Sequence, residues 1–346
     1  MVYLFNQEWS KAEILRRVGT MEQIAGIRLL EAGDGRGRGS RMLDVWTGSG
    51  LRFQVSADRA LDIGGCDFKG IPLPFRSAAG EVHPAYYEPQ GLGWLRSFSG
   101  GLLTTCGLDQ FGAPNQDGDK AYGLHGRISN LPATQVSYRT FWVGDNYELE
   151  ISGEVRQAVL FGENLVMRRQ ISTRLGSNRI RITDTISNEG FETSPHMLLY
   201  HFNLGFPLVS ESSRIELEAR ETHPRDANAQ SGLAAWDRFQ PPTPGYQEQV
   251  FIHHPMPDKE GKVSLQLTNP QVGIGLRWSY AHAQLPTLME WKMMGEGAYV
   301  VGIEPANCNG INGQKAAREQ GQCAYLGPGE NRIYQIDLEV MPLARN

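Results

Sequence analysis

Cysteine is scarce in this sequence, with four among 346 residues. Cys66, Cys106, Cys308 and Cys323 include no Cys-x-x-Cys pair and do not cluster with histidine. This spacing argues against a disulfide framework and against a zinc site, and it favours a reducing compartment. Long apolar runs are missing too, since none approaches a bilayer span and the N-terminus lacks an apolar signal segment. We therefore expect a cytoplasmic protein that does not enter a membrane.

A strong charge of either sign is also lacking. Lys and Arg number 33 and Asp and Glu number 38, which gives a net charge of −5 spread through the chain. This balance argues against nucleic acid or an anionic membrane as the main partner. The one basic stretch, residues 33–41, lacks the Walker spacing and a following helical pattern, so we interpret it as a Gly-rich surface hairpin.

Helical periodicity is rare and is convincing only near the N-terminus. Ser10 and Glu13 have the spacing of a capping box, in which each side chain accepts a hydrogen bond from the other residue's backbone N–H. The apolar positions of this segment are Ala12, Ile14, Leu15 and Val18. We predict a short helix that is capped by Gly19, because glycine commonly ends helices.

Alternation of apolar and polar residues dominates the rest of the chain and predicts half-buried antiparallel strands. The clearest runs are residues 51–56, 147–151, 179–186, 214–218, 262–267 and 332–340. No βαβ rhythm interrupts them, which excludes a doubly wound nucleotide-binding fold. Many strands with almost no helices predict an all-β protein built as a large antiparallel β-sandwich.

No break in composition marks a domain boundary, so we expect one domain over residues 1–346. Residues 1–44 would form an N-terminal helix and hairpin extension, and residues 45–342 would form the sandwich. The longest irregular segment, residues 76–119, is rich in Gly, Pro and aromatic residues. Loops of this length in a compact domain are commonly functional, and the aromatic content argues against disorder.

Two histidines stand in contexts suited to acid–base chemistry near neutral pH. His201 lies in the run 196–202, which is apolar on both faces, so we predict a central strand and a lowered imidazole pKa. His125 lies between glycines in residues 123–126, which lets a backbone or a ligand approach closely. The structural alternatives are a core histidine bonded to a neighbour and a turn histidine bonded to local backbone.

One carboxylate completes this set. Glu304 follows the apolar run 299–303 and precedes Pro305, which we expect to end the strand and fix the direction of the carboxylate. Burial at such a position raises a carboxyl pKa unless a cation offsets it. The structural alternative is an exposed glutamate at a strand end.

Two arginines, Arg59 and Arg96, could bind a sugar. A guanidinium has five fixed donors, which suit vicinal hydroxyls or an acid group. An ion pair is the alternative for each, with Asp58 or Asp62 as the neighbour of Arg59.

The order of several short motifs resembles a known family. These motifs are Ala57-Asp-Arg-Ala-Leu-Asp-Ile63, Gly100-Gly-Leu-Leu-Thr-Thr-Cys-Gly107, Leu124-His-Gly126, His201-Phe-Asn-Leu204, Glu290-Trp-Lys-Met293 and Gly302-Ile-Glu-Pro-Ala-Asn-Cys308. Over roughly residues 45–342 the chain resembles the aldose 1-epimerases, or galactose mutarotase-like proteins, and most closely their bacterial branch known as DUF4432. Each motif is weak alone, and their shared order carries the resemblance.

This resemblance implies a supersandwich of antiparallel sheets with a monosaccharide in a cleft on one sheet. It implies that His201 protonates the ring oxygen and that Glu304 removes the proton of the anomeric hydroxyl. His125 and Arg96 would orient the sugar. Such ring opening and closing needs one acid and one base, and neither a metal nor another cofactor.

The sequence departs from the family at one position. Galactose mutarotases have an Asp after a Gly-aromatic pair, whereas Gly245-Tyr is followed here by Gln247 and Glu248. We therefore expect Glu248 to bind sugar hydroxyls. His253-His254 follow and could line the same cleft, and a surface pair is their alternative. Arg59 and Lys292 could add positive charge suited to an acidic or phosphorylated sugar.

The sequence thus predicts an isomerase that interconverts the anomers of a monosaccharide. The alternatives are a non-catalytic carbohydrate-binding or sugar-sensing protein and an enzyme for another acid–base reaction on a sugar. Epimerisation and elimination are reactions of that last kind. Glycoside hydrolysis ranks last, because it needs two flanking carboxylates and only Glu304, with Glu248 as a doubtful partner, is available.

Overall fold

A computed structural model describes residues 1–343, in which all pairs of named strands are antiparallel. The first twelve strands are β1 Val2–Leu4, β2 Gln7–Trp9, β3 Gly26–Glu31, β4 Arg41–Trp46, β5 Leu51–Ser56, β6 Asp62–Phe68, β7 Ile71–Pro72, β8 Thr104–Leu108, β9 Asn115–Asp117, β10 Lys120–Tyr122, β11 Thr134–Val143 and β12 Asn146–Ala158. The others are β13 Asn164–Arg174, β14 Arg179–Asn188, β15 Ser194–Gly205, β16 Arg214–Leu217, β17 Ala219–Pro224, β18 Gln249–Pro255, β19 Lys262–Asn269, β20 Ile274–Ala281, β21 Thr287–Gly295, β22 Ala298–Ala306, β23 Ala324–Leu326 and β24 Asn331–Pro342.

The helices of the described chain are short. They are α1 Lys11–Leu15, α2 Ala227–Gly232 and α3 Gln314–Glu319, with one-turn 3-10 helices at Met21–Gln23, Gly35–Gly37, Pro84–Tyr86, Gly93–Arg96, Ile128–Asn130 and Leu233–Ala235. Over residues 1–343, none of these helices has the length and apolarity that a bilayer crossing requires.

Three large sheets build the fold, and two small ones pair β1 with β2 and β9 with β10. The largest has eight strands in the order β11-β12-β13-β14-β24-β20-β19-β16. A seven-stranded sheet has the order β17-β18-β21-β22-β15-β23, and β8 pairs with β15 beside it. Strands β3 to β7 form a five-stranded sheet in sequence order. The predicted all-β antiparallel sandwich is therefore confirmed, and the six alternating runs coincide with strands apart from Glu218.

Strand β15 lies inside the seven-stranded sheet, as the apolar run around His201 predicts. Leu198, Tyr200 and Phe202 point into the main hydrophobic core. Met197 and Leu199 point to the other face, where they join a second apolar cluster with Trp94 and Phe98. Side chains of a strand alternate between faces, so His201 shares the face of this second cluster.

Two local expectations, on the first helix and on residues 76–119, differ from the structure. The capping box of Ser10 and Glu13 forms, but α1 ends at Leu15 with Arg16 as its cap, short of Gly19. Only Ile14 of this helix is buried, so little packing supports a longer one. Residues 76–119 are not wholly irregular, because they contain β8 and β9, and the five residues of β8 are all buried and hence show no alternation.

Pro305 does not end its strand, contrary to expectation. Strand β22 continues to Ala306, and Glu304 lies within it. Proline has no N–H to donate, and the pairing with β15 is interrupted between Phe202↔Ile303 and Leu199↔Ala306. The pairing with β21 is continuous, including Leu288↔Pro305. Strand β22 thus accommodates Pro305 because pairing is lost only on the side of β15.

The boundary that the sequence suggested between residues 44 and 45 stays a prediction. Strand β4 runs across it, since β4 spans Arg41–Trp46 and pairs with β3 and β5.

A buried ionic network joins the sheets behind β15. The Arg169 side chain on β13 has no exposed surface, and its guanidinium lies 2.7 Å from Asp184 on β14 and 2.8 Å from Asp62 on β6. It also donates to Thr105 on β8, and Tyr200 on β15 donates to Asp184. Burial alone would lower the pKa of Arg169, but the two carboxylates raise it and keep the guanidinium charged.

Replacing Arg169 by Ala is expected to lower the free energy of unfolding by about 3–5 kcal/mol, because two carboxylates would stay buried without their counter-charge. The matched control is Arg139→Ala, which removes an exposed pair with Glu150 and should cost about 1 kcal/mol or less. Urea unfolding followed by tryptophan fluorescence measures both. Equal costs for the two variants would contradict a central role for the network.

Candidate active site

A cavity of about 440 Å³ lies on the face of the seven-stranded sheet that carries His201. The sheet contributes its floor through β15, β18, β21 and β22. Loops and the turn Gly93–Arg96 contribute its walls. Its lining includes the side chains of Trp94, Phe98, His125, His201, Arg225, Glu248, Trp291 and Glu304.

His201 and Glu304 meet on this floor. Strands β15 and β22 are neighbours, and the register between them places the two residues opposite each other. His201 Nε2 lies 3.1 Å from Glu304 Oε1, and the two side chains are only 5% and 2% exposed. Two buried atoms of this pair, His201 Nδ1 and Glu304 Oε1, have no hydrogen-bond partner in the described chain. Buried polar atoms are rarely left so, and a ligand could supply the missing partners.

Gly302 makes room for this pair. It lies two residues before Glu304 on the same face of β22, and a Cβ at this position would collide with Glu304 Oε1 and approach His201 Cε1 within 3.1 Å. The Trp291 Cβ would also be 3.1 Å away. A side chain at residue 302 would therefore displace the carboxylate or the imidazole.

Aromatic rings surround the pair. The centroid of His201 lies 5.8 Å from Phe98 and 5.6 Å from Trp291. Trp94 stacks on Phe98 at 4.7 Å and lies 4.8 Å from His125. Such a wall keeps water from the two polar groups and offers flat apolar faces to a ligand.

Burial shifts the pKa values of Glu304 and His201 in the directions that favour their uncharged forms. It raises the pKa of Glu304 well above 4.5, with the charge of Glu248 as a smaller cause. It lowers the pKa of His201 well below 6.5, with His125 as a smaller cause. The two shifts have the directions that the sequence predicts for an imidazole and a carboxyl in apolar surroundings. They favour an uncharged pair, with the mobile proton on Glu304 rather than on His201.

His125 approaches His201 from a loop. Its backbone has a positive φ of 55° and its ring lies 5.5 Å from that of His201. The Gly112 N–H donates to His125 Nδ1, which makes Nε2 the protonated ring nitrogen of a neutral imidazole. Desolvation lowers the pKa of His125 to about 4, so the ring stays neutral near pH 7.

Glu248 lies at the rim of the cavity, and two donors hold it in place. Trp291 Nε1 donates to Glu248 Oε2 at 2.8 Å, and Arg225 Nη1 donates to Glu248 Oε1 at 3.0 Å. Arg225 also donates to Asp226, so its charge is balanced by two carboxylates.

The family model described as Domain of unknown function (DUF4432) matches residues 37–340. The chain belongs to the DUF4432 family. No curated protein matches this DUF4432 chain in sequence.

Solved structures share the fold of this DUF4432 protein. A proposed aldose 1-epimerase from Klebsiella pneumoniae subsp. pneumoniae MGH 78578 has 25% identity and a TM-score of 0.87, over 93% of this chain and 86% of that one. A galactose mutarotase-like protein from Clostridium acetobutylicum has 13% identity and a TM-score of 0.65, over 93% and 100%. Galactose 1-epimerase from Lactobacillus acidophilus NCFM has 12% identity and a TM-score of 0.57, over 92% and 100%. The last two show the fold alone.

The structure brings four of the seven predicted site residues to the cavity: His125, His201, Glu248 and Glu304. The other three point elsewhere. Arg59 is buried and donates to the carbonyl of Val82. The Arg96 side chain is 71% exposed and lies 3.4 Å from Glu88.

Lys292 lies on the opposite face of β21 from Trp291, because neighbouring residues of a strand alternate. Its ammonium donates to the carbonyls of Ala235 and Arg238, and burial lowers its pKa. His253 also points away, to a buried contact with Glu290 at 3.2 Å. Positive charge from Arg59 and Lys292, on which the suggestion of an acidic sugar rested, is therefore absent from this cavity.

Sequence reasoning did not select Trp94, Phe98, Arg225, Trp291 or Gly302. Strand alternation at residues 290–293 could have shown that only one of Trp291 and Lys292 faces the cavity. Trp94 and Phe98 lie in the segment expected to be functional, but no pattern there indicates which aromatic ring reaches the site. Arg225 follows an edge strand and gives no sequence signal.

Replacing Glu304 by Gln is expected to stabilise the fold increasingly as pH rises. A carboxyl whose folded pKa is raised contributes stability below its unfolded pKa of about 4.5 and loses it as pH rises through the folded pKa. Gln has no such loss, and each pKa unit between the two states is worth about 1.4 kcal/mol. Chemical unfolding at pH 5, 6, 7 and 8 measures the difference between variant and wild type.

The matched control is Glu260→Gln, whose side chain is 74% exposed and should show no such trend. A difference between Glu304→Gln and wild type that stays constant over this pH range would show that Glu304 ionises normally in the folded protein.

Proposed function

We propose that this DUF4432 protein is an isomerase that interconverts the anomers of a free monosaccharide. The observation that carries the proposal is the buried contact of 3.1 Å between His201 and Glu304 in an aromatic cavity. The family membership and the likeness to the Klebsiella protein, a proposed aldose 1-epimerase, support it. A cavity of about 440 Å³ is ample for one sugar ring.

Opening a cyclic hemiacetal moves two protons. A base removes the proton of the anomeric hydroxyl, the bond from C1 to the ring oxygen breaks, and an acid protonates that oxygen. The aldehyde turns about its C1–C2 bond and closes on the other face, and the acid and the base exchange roles. Each positioned group of this kind typically contributes about 10²–10⁴-fold in rate.

The pair of His201 and Glu304 holds one mobile proton, and this suffices for both roles. With the proton on His201, the imidazolium is the acid and the carboxylate the base, as the family resemblance implies. With the proton on Glu304, which the pKa shifts favour, the roles are reversed. Opening and closing use the two forms in turn, so the pair is restored after each full exchange.

The remaining lining residues support a neutral sugar as substrate. Trp94, Phe98 and Trp291 offer faces for the C–H side of a pyranose. Glu248 accepts hydrogen bonds and suits hydroxyl groups. Arg225 is already paired with Glu248 and Asp226, so no unpaired cation of the cavity lining calls for an acid group within residues 1–343.

Anomer exchange followed by NMR on a panel of aldoses, uronic acids and sugar phosphates tests the proposal. Wild type should accelerate exchange of one neutral aldose. His201→Ala and Glu304→Gln should each lose at least about 10²-fold of the acceleration, as expected for loss of an acid or a base. Gly302→Ala should lose activity by crowding the same pair, whereas Gly33→Ala, with open space around its Cβ, should not.

Sugar binding without accelerated exchange in wild type would instead indicate a carbohydrate-binding protein or another acid–base reaction. Acceleration that survives both His201→Ala and Glu304→Gln would refute the assignment of the pair.

The pH profile of kcat/KM is expected to have no acid limb near 6.5. Activity needs one proton on the pair, and this state is lost only below the lowered pKa of His201 or above the raised pKa of Glu304. Rates of exchange of the active sugar, corrected for buffer catalysis, give the profile from pH 5 to pH 9. A midpoint at 6.5 would mean that an ordinary, solvated imidazole controls the rate.

A further inference from the structure

A second group of chemically active side chains lies on the same sheet face, at its edge. Glu221 and His223 are two residues apart on β17, and so they point to the same side. His254 on β18 is the direct cross-strand partner of Glu221. Strand β17 is the last strand on its side of the seven-stranded sheet. These three residues are called the edge triad below.

The donor atoms of the edge triad are close enough to share one ion. One ligand atom from each residue lies within 4.8 Å of the other two. His223 Nε2 is 3.2 Å from Glu221 Oε2, and the ring centroids of His223 and His254 are 5.8 Å apart. Ligands at about 2.0–2.2 Å from a tetrahedral zinc ion lie roughly 3.4 Å apart. Small side-chain rotations would therefore bring all three to an ion.

We propose that the edge triad binds a divalent late transition-metal ion of the zinc class. Two imidazoles and a carboxylate suit Zn²⁺, Ni²⁺ and Cu²⁺, whereas Mg²⁺ and Ca²⁺ prefer oxygen ligands only. The side chains of Glu221 and His223 are 53% and 54% exposed, so an ion has free access and water can complete its coordination.

The edge triad is separate from the acid–base pair. His223 lies in the same transverse row as Ile252, Met289 and Glu304, and three strand steps from β17 to β22 span roughly 14 Å. The ion would therefore not touch the reacting atoms of the proposed isomerase. It would fix the edge strand just before Arg225, which holds Glu248 at the cavity rim.

Titration calorimetry with ZnCl2 tests the proposal on the purified full chain. Wild type should bind one Zn²⁺, and MgCl2 should give no binding heat. His223→Ala, His254→Ala and Glu221→Gln should each weaken zinc binding at least about tenfold, since even residues that only orient metal ligands are worth 10–100-fold. His282→Ala, which changes a histidine outside the edge triad, should bind like wild type.

A second readout is thermal unfolding, because an ion that binds only the folded chain raises Tm. Zn²⁺ should raise Tm of wild type and of His282→Ala, and it should do so less for the three triad variants. Absence of zinc binding to wild type would overturn the proposal. So would zinc binding that persists unchanged in all three variants, which would place the ion elsewhere. Neither outcome depends on isomerase activity.

Discussion

The ion pairs of Arg169 are the constraint on which the rest of the structure depends. A guanidinium without exposed surface is held by Asp184 and Asp62, which come from two different sheets. Such a group is stable only if all of its partners are in place, since an unpaired buried charge is costly. Tyr200 joins this network through Asp184, and it immediately precedes His201. The network thus fixes the back of β15, and the catalytic candidate is on the front.

On the front of β15, polar groups are buried among aromatic rings instead of being paired with opposite charges. Rings of Phe98 and Trp291 exclude water from His201 and Glu304, and two of the buried polar atoms there have no partner within the described chain. Behind the strand, the buried guanidinium is paired with two carboxylates. At the front, the shifted pKa values suppress the ionisation of His201 and Glu304. Burial of two ionisable groups, His201 and Glu304, lowers stability, but it leaves the pair with one proton that can be transferred to a substrate.

Much of the fold could be predicted from the sequence, because alternation of apolar residues is a local signal that one buried sheet face imposes. Strand β8 gave no such signal, since both of its faces are buried. In the site, His201 and Glu304 could be predicted from motif order and apolar context. The directions of Arg59 and Lys292 could not, because long side chains reach carbonyls such as those of Val82 and Ala235 that only the folded chain brings near.

The edge triad shows the same limit of sequence reasoning. The spacing of the cysteines argued against a zinc site, but it carries no information on ligands that strand pairing brings together. Glu221 and His254 are adjacent only through the pairing of β17 with β18, across the loop and helix α2 that separate these strands. His253 and His254 are neighbours in sequence, yet alternation sends one to Glu290 and the other to the surface.

The position of β15 has a consequence for how the chain folds. Leu199 pairs with Cys106 on one side and with Ala306 on the other, each about a hundred residues away along the chain. Contacts of such sequence separation form slowly, because loop closure must precede the contacts that reward it. The acid–base pair therefore requires the pairing of β15 with β22, two strands about a hundred residues apart along the chain. Because burial is the main cause of both pKa shifts, the shifted proton affinities belong to the folded sheet and not to either strand alone.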